Sequence, residues 1–82
     1  MNPDEVKDRT YILLEREKPK SLTVQQICSK LGFEDEVGVT ISLGKLEIEK
    51  KVIEDDYQKI YREDGGVILL PKFRIATESE FK

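Results

Sequence analysis

Apolar residues recur at helical spacing near the start of the chain. The positions that fall on one face of such a helix are Val6, Thr10, Leu13 and Leu14. Asn2 suits the N-cap of this helix, and Pro3 suits its first position. We expect the helix to end before Pro19, because the residue that precedes a proline disfavours helical backbone angles.

A second helix is predicted from Val24 to Leu31, after a short segment that has the length of a small strand. Thr23 is the expected N-cap, and Gly32 follows at the position where a left-handed residue ends a helix. The apolar positions of this helix are three and four residues apart on one face: Val24, Ile27 and Leu31.

The pattern predicts a third helix from Glu36 to Lys50, with Asp35 as its N-cap. The expected buried positions are Val39, Leu43 and Leu46. At about 100° per residue, a second apolar row points in nearly the opposite direction. Its members are Val37, Ile41, Gly44 and Ile48. Gly44 weakens the helix by about 1 kcal/mol relative to alanine, and a glycine inside a helix often marks close approach by another element.

After Lys51 the pattern changes to that of β-strands. Strand-forming residues extend from Val52 to Tyr61, Glu63–Gly66 has the composition of a hairpin turn, and Val67–Leu70 is an apolar run. Pro71 cannot donate to a ladder of hydrogen bonds, which indicates an edge of the sheet at that point. The sequence therefore predicts an α+β domain over residues 1–75, with three helices and a C-terminal β-hairpin, followed by a polar tail over residues 76–82.

This order of elements resembles the winged helix-turn-helix superfamily. Thr23–Phe33 resembles the first helix and turn of the motif, and Val39–Leu46 resembles the recognition helix. Val52–Ile53 then leads into a wing closed at Asp64–Gly66. The resemblance extends from Asp4 to Ile75. It implies a DNA-binding transcription regulator that acts as a dimer, with its third helix toward the major groove of double-stranded DNA and its wing on the backbone.

Under this interpretation, certain polar residues on the third helix and the wing would contact DNA. The candidates for base edges are Thr40, Ser42 and Lys45, and those for phosphates are Lys59 and Arg62. Tyr57 and Tyr61 are either stacking surfaces for bases or, as is more usual for aromatic strand residues, core residues or cross-strand neighbours. For the basic residues of the hairpin, a solvated surface of mixed charge is the favoured interpretation, because mixed charge is ordinary on an exposed hairpin.

Charge favours a different interpretation. The chain has 14 basic and 17 acidic residues and a net charge of −3, whereas nucleic-acid affinity depends on Lys and Arg. Glu34–Glu36 lies where phosphates would approach the third helix. The alternative is a protein-protein interaction module that uses the apolar outer row as a heptad-like seam, for a homodimer or for another protein. A third interpretation is that the hairpin or the tail of the same chain covers this apolar row of the third helix.

The residues needed for most enzyme chemistry are absent. The chain has no histidine, and its one cysteine, Cys28, has no cysteine partner for a zinc site. We expect Cys28 to be a small buried hydrophobe, and we expect no enzyme activity, cofactor, metal or small-molecule ligand. The single thiol, the acidic first residues and the lack of an apolar run of membrane length predict a cytoplasmic protein without a membrane partner.

Overall fold

A computed structural model describes residues 2–77, which form three helices and one antiparallel sheet. The helices are α1 (Pro3–Glu17), α2 (Val24–Leu31) and α3 (Glu36–Ile48). The strands are β1 (Leu22–Thr23), β2 (Val52–Tyr61) and β3 (Val67–Ile75), in the spatial order β1-β3-β2. The predicted α+β class, with three helices and a C-terminal hairpin, is confirmed. Residues 78–82 of the predicted polar tail lie outside the described residues.

The helices begin at the predicted caps. Each cap side chain accepts a hydrogen bond from the backbone N–H three residues further on, and the caps are Asn2, Thr23 and Asp35. The α2 cap is a full capping box, because the side chain of Gln26 also accepts a hydrogen bond from the Thr23 N–H at 2.9 Å. Gly32 ends α2 in the left-handed conformation, at φ 72°. Local sequence therefore determines where these helices begin.

The end of α3 differs from the prediction by two residues. The helix ends at Ile48, and Lys50, predicted as its last residue, has φ 62° instead. The N–H of Lys51 donates to the carbonyl of Leu46 at 2.9 Å, and the N–H of Lys50 donates to Glu47. This is a Schellman-type end with a lysine at the position that glycine usually occupies.

The core lies between the three helices and the base of the hairpin. Its most deeply buried residues, each no more than 1% exposed, include Leu14, Ile27, Val39, Leu43, Leu46 and Val52. All predicted inward positions of α1 and α3 are buried. In α2 the prediction is only partly right, since Ile27 and Cys28 are buried while Val24 and Leu31 are half-buried.

The hairpin is anchored at its base and extends away from the core. Val52 pairs with Ile75, and Tyr61 pairs with Val67 at the far end. Asp55 is the extra residue of a β-bulge, because Glu54 pairs with Phe73 and Asp56 pairs with the next residue, Lys72. Only Val52 in β2 and Phe73 in β3 are fully buried. The far half of the hairpin therefore has little contact with the helices.

Candidate interaction surface

The outer row of α3 is exposed to solvent. We call Val37, Ile41, Gly44 and Ile48 the α3 stripe. Of its three large side chains, Val37 is 69% exposed, Ile41 is 53% exposed and Ile48 is 83% exposed. The hairpin does not cover them, so the interpretation that β2 and β3 bury this row is wrong. Coverage by the tail is not tested, because residues 78–82 lie outside the described residues. Buried apolar residues normally explain apolar helical spacing, so an uncovered second row on the same helix requires another explanation.

Gly44 has no structural reason within the described part of the chain to lack a side chain. A Cβ atom built at this residue would meet nothing within 4 Å. Gly38 differs, because a Cβ atom there would overlap the carboxylate of Asp35 that caps the helix. Gly38 is thus explained by the cap, whereas Gly44 lowers helix stability without benefit to the packing of the domain.

A shallow cleft of about 280 Å³ lies beside the α3 stripe, between α3 and the start of α1. Its lining combines apolar residues with an acid and a base: Pro3, Val6, Asp35, Val37, Gly38, Ile41, Ser42 and Lys45. The cleft extends the apolar surface of the stripe toward α1. A side chain from a partner could therefore enter next to Ile41.

Ser42, predicted to reach DNA bases, is only 3% exposed. It follows Val39 by three residues, which places it about 60° from the inward direction of the helix at 3.6 residues per turn. Its side chain therefore lies between α1 and α3. The prediction that Ser42 contacts bases is wrong for this reason.

The other two residues predicted to read bases lie on opposite flanks of the stripe. Thr40 and Lys45 are both exposed, but five residues separate them by about 140° around the helix axis. The hydroxyl of Thr40 donates to the backbone carbonyl of Glu36 at 2.8 Å. The apolar stripe lies between these two polar residues.

The residues predicted to contact phosphates are exposed on the hairpin but do not converge. Side chains alternate along a strand, so Lys59 and Arg62 project from opposite faces of the ribbon. Arg62 also lies 3.3 Å from the carboxylate of Asp64. Tyr57 is near an acid as well, because a hydrogen bond to Glu54 raises the pKa of its phenol.

Nearby carboxylates contribute to two raised pKa values on α2 and α3. The pKa of Glu47 is raised, first by its partial burial and then by the nearby charge of Glu54. Burial is also the main cause of the raised pKa of Cys28, and the carboxylates of Glu36 and Asp35 add to it. Cys28 is buried, as predicted, and its thiol stays protonated at neutral pH. Negative charge on the surface of α3 that faces the hairpin disfavours phosphate.

Sequence reasoning missed a second exposed apolar region, at the far half of the hairpin. Its large residues are between 41% and 74% exposed: Tyr57, Ile60, Tyr61, Val67, Ile68 and Leu69. The available signal was the lack of alternation in Val67–Leu70, which means that both faces of this part of β3 are apolar. A strand with two apolar faces is normally buried on both sides.

Neither metal-binding nor membrane-spanning features occur in the described residues. Between residues 2 and 77, no three Cys, Asp or Glu side chains are grouped so that they could hold a metal ion. Over the same range, every helix is too short or too polar to cross a membrane. No protein-family model, curated protein or solved structure matches the chain.

Proposed function

We propose that this chain is a protein-interaction domain of winged-helix layout that binds an amphipathic helix of another protein along the α3 stripe. The observation that carries the proposal is the exposure of Val37, Ile41 and Ile48 on a helix whose opposite face is completely buried. The order of three helices, the hairpin and the small strand β1 supports the winged-helix layout.

The spacing of the stripe suits a helical partner. Its members are separated by four, three and four residues, the spacing of a coiled-coil seam. Gly44 lies inside this seam, and the open space above it lets a second helix approach closely. Complete burial of one large aliphatic side chain contributes about 1.5–3 kcal/mol, so three such residues offset a substantial part of the cost of association.

The chemistry of the partner follows from the charges around the stripe. Glu34–Glu36 lies at its N-terminal end, and Asp35 lines the adjoining cleft. A helix with one apolar face and Lys or Arg at one end complements this arrangement, because opposite charges at the rim of an interface favour association and fix its orientation. The same acidic residues disfavour a nucleic-acid backbone.

Double-stranded DNA is the second candidate partner. Two features favour DNA. One is the winged-helix layout, and the other is the exposure of the candidate DNA contacts Thr40, Lys45, Lys59 and Arg62. Fluorescence anisotropy with mixed-sequence duplex DNA at low salt tests this function. Binding tighter than about 100 μM, weakened in Lys59→Ala and Arg62→Ala, would support it, since non-specific binders commonly reach this range.

The main proposal is tested by cross-linking followed by a binding measurement. A photo-reactive amino acid in place of Lys45, beside the stripe, should attach to a partner in cells of the source organism. The purified partner is then titrated against the wild type, Ile41→Glu and Ile12→Glu. Ile12 is a matched control, because it is 55% exposed on α1 while Ile41 is 53% exposed on α3.

We expect Ile41→Glu to weaken binding at least tenfold, equivalent to about 1.4 kcal/mol, and Ile12→Glu to leave it unchanged. Both variants should keep the circular dichroism spectrum of the wild type. Equal losses in the two variants, unfolding of Ile41→Glu alone, or failure to cross-link any protein would each overturn the proposal.

A further inference from the structure

The outer edge of β3 has no strand neighbour along its apolar half. Strand β1 contributes only two residues to the sheet, and these pair with Phe73 and Lys72. From Val67 to Leu69, the side of β3 that faces away from β2 therefore has no strand neighbour among the described residues, whereas the start of α2, at Val24 and Gln25, lies near Leu70 and Pro71. An open edge presents unpaired backbone groups on which another strand can pair.

Two hydrogen bonds show which backbone groups of β3 point to this edge. The carbonyl of Gly66 accepts from Arg62 at 2.8 Å, and the N–H of Ala76 donates to Lys51 at 3.0 Å. Backbone groups alternate in direction along a strand, so even-numbered residues of β3 face β2. Val67 and Leu69 consequently direct their N–H and C=O groups outward. Pro71 points the same way, which explains why a proline is accepted there without loss of a bond to β2.

The opposite edge of the hairpin, along β2, is protected against such pairing. It contains the bulge at Asp55 and a run of three acidic residues, Glu54–Asp56, with Lys59 further along. Bulges and charged side chains are the usual means by which proteins block an exposed edge. Val67–Leu70 has no charge and no bulge, so the two edges differ sharply in their capacity to pair.

We propose that two copies of this chain associate through the open edge of β3, antiparallel, about a two-fold axis at Ile68. In this register, Val67 of each copy lies opposite Leu69 of the other. The outward N–H and C=O groups of both residues then form four hydrogen bonds across the axis. The two hairpins become one four-stranded sheet, and the Ile68 side chains of the two copies pack against each other.

The residues that flank the pairing segment on one side are glycines. Gly66 of one copy lies opposite Leu70 of the other, Gly65 lies opposite Pro71, and neither presents a side chain that would obstruct the approach. The outer edge position beside Lys72 is occupied by Thr23 of β1, so the paired segment ends before Lys72. The association therefore depends on the backbone groups of Val67 and Leu69.

This inference uses a surface separate from the α3 stripe and does not rest on the proposed function. Sedimentation equilibrium over a range of concentrations tests it with the complete chain. We expect the wild type to shift from 9.5 kDa toward twice that mass as its concentration rises. Leu69→Lys should lower the association constant at least tenfold, because it places a charge at the edge.

Tyr57→Lys is the matched control. Tyr57 is 53% exposed and Leu69 is 52% exposed, and both project from the same face of the ribbon. Only Leu69 belongs to the open edge, so we expect Tyr57→Lys to change the association constant by less than threefold. Leu69→Pro provides a second test, because it removes one outward N–H group and leaves the bonds to β2 intact, as Pro71 does.

Amide hydrogen exchange locates the interface directly and is independent of any variant. The N–H groups of Val67 and Leu69 should exchange at least tenfold more slowly at dimer concentrations than in dilute solution. Those of Ile68 and Leu70 bond to β2 in either state and serve as internal controls.

The inference would be overturned if the wild type remained at 9.5 kDa up to about 1 mM. It would also be overturned by a dimer that Leu69→Lys and Leu69→Pro leave intact. Loss of the dimer in Ile41→Glu alone would place self-association on α3 and would overturn it as well.

Discussion

Lys7, near the start of α1, donates a hydrogen bond to the carboxylate of Glu49, the residue that directly follows α3. Lys51 lies 3.3 Å from the other oxygen of the same carboxylate. These contacts join two segments that are 42 positions apart in the chain. They hold the first turns of α1 against the point where α3 ends and the hairpin begins.

The Lys7–Glu49 pair should make stability depend on pH at both extremes. The hydrogen bond from Lys7 is the main cause of the lowered pKa of Glu49, and the same bond raises the pKa of Lys7 above 10.5. The stabilisation is therefore lost as pH falls through the lowered pKa of Glu49, below 4.5, and as pH rises through the raised pKa of Lys7.

Glu49→Gln should consequently have a lower Tm than the wild type at pH 7, and the difference should vanish in strong acid. Thermal unfolding followed by circular dichroism from pH 2 to pH 8 measures it. Glu63→Gln, in the exposed turn, is the control and should show little difference at any pH. A Glu49→Gln difference that persists below the pKa of Glu49 would contradict this account.

Thr10 should be replaceable by valine with a gain in stability. Its side chain is 0% exposed, and its hydroxyl has no hydrogen-bond partner in the described residues. A buried polar group without a partner costs about 1–3 kcal/mol, and valine has nearly the same shape. We expect Thr10→Val to raise the free energy of unfolding by about 1 kcal/mol in urea denaturation. Thr10→Ser keeps the hydroxyl and loses a methyl group, so it should be destabilising.

Gly44→Ala should change the stability of the domain and the binding of a partner helix in opposite directions. The added methyl group meets nothing within 4 Å, and alanine is the better helix former by about 1 kcal/mol, so the domain should become more stable. Under the proposed function, the same methyl group would hold a partner helix away and weaken its binding. Gly38→Ala is the contrasting control, because its Cβ atom overlaps the capping carboxylate of Asp35 and should destabilise the domain.

Lys50→Gly should also stabilise the domain. Lys50 is the one described non-glycine residue with positive φ, at 62°, and a left-handed backbone costs an ordinary residue about 1 kcal/mol. Glycine removes this cost while keeping the Schellman-type hydrogen bonds. We expect a gain of about 0.5–1 kcal/mol in urea denaturation, with a smaller gain for Lys50→Asn. A loss of stability in Lys50→Gly would mean that the lysine side chain contributes more than its backbone strain costs.

The order of elements could be predicted because local signals agreed with one another. Caps at Asn2, Thr23 and Asp35 have short-range causes, and so does the end of α2 at Gly32. The helical spacing of α3 was sufficient to place Leu43 on the face toward the core and Ile41 on the opposite face. These inferences required only the geometry of a single helix.

The candidate site was less predictable, because it depends on which elements meet. Ser42 was expected to face outward, but α1 packs over its side of α3 and buries it. Lys59 and Arg62 both follow the bulge, so their opposite orientations come from regular strand alternation alone. The acids Glu54–Asp56 lie inside the predicted strand, and the bulge at Asp55 in their middle was not predicted.

By itself, the sequence determined the three helices, the hairpin turn and the existence of two apolar rows on α3, since helix periodicity and capping act over a few residues. Only the tertiary structure decided that, among residues 2–77, no element covers one of these rows and no strand pairs with the outer edge of β3 from Val67 to Leu69. The physical reason is that burial and edge pairing depend on neighbours distant in the chain. In particular, β1 is too short to pair with Val67–Leu69, and the sequence of β3 does not predict how long β1 is.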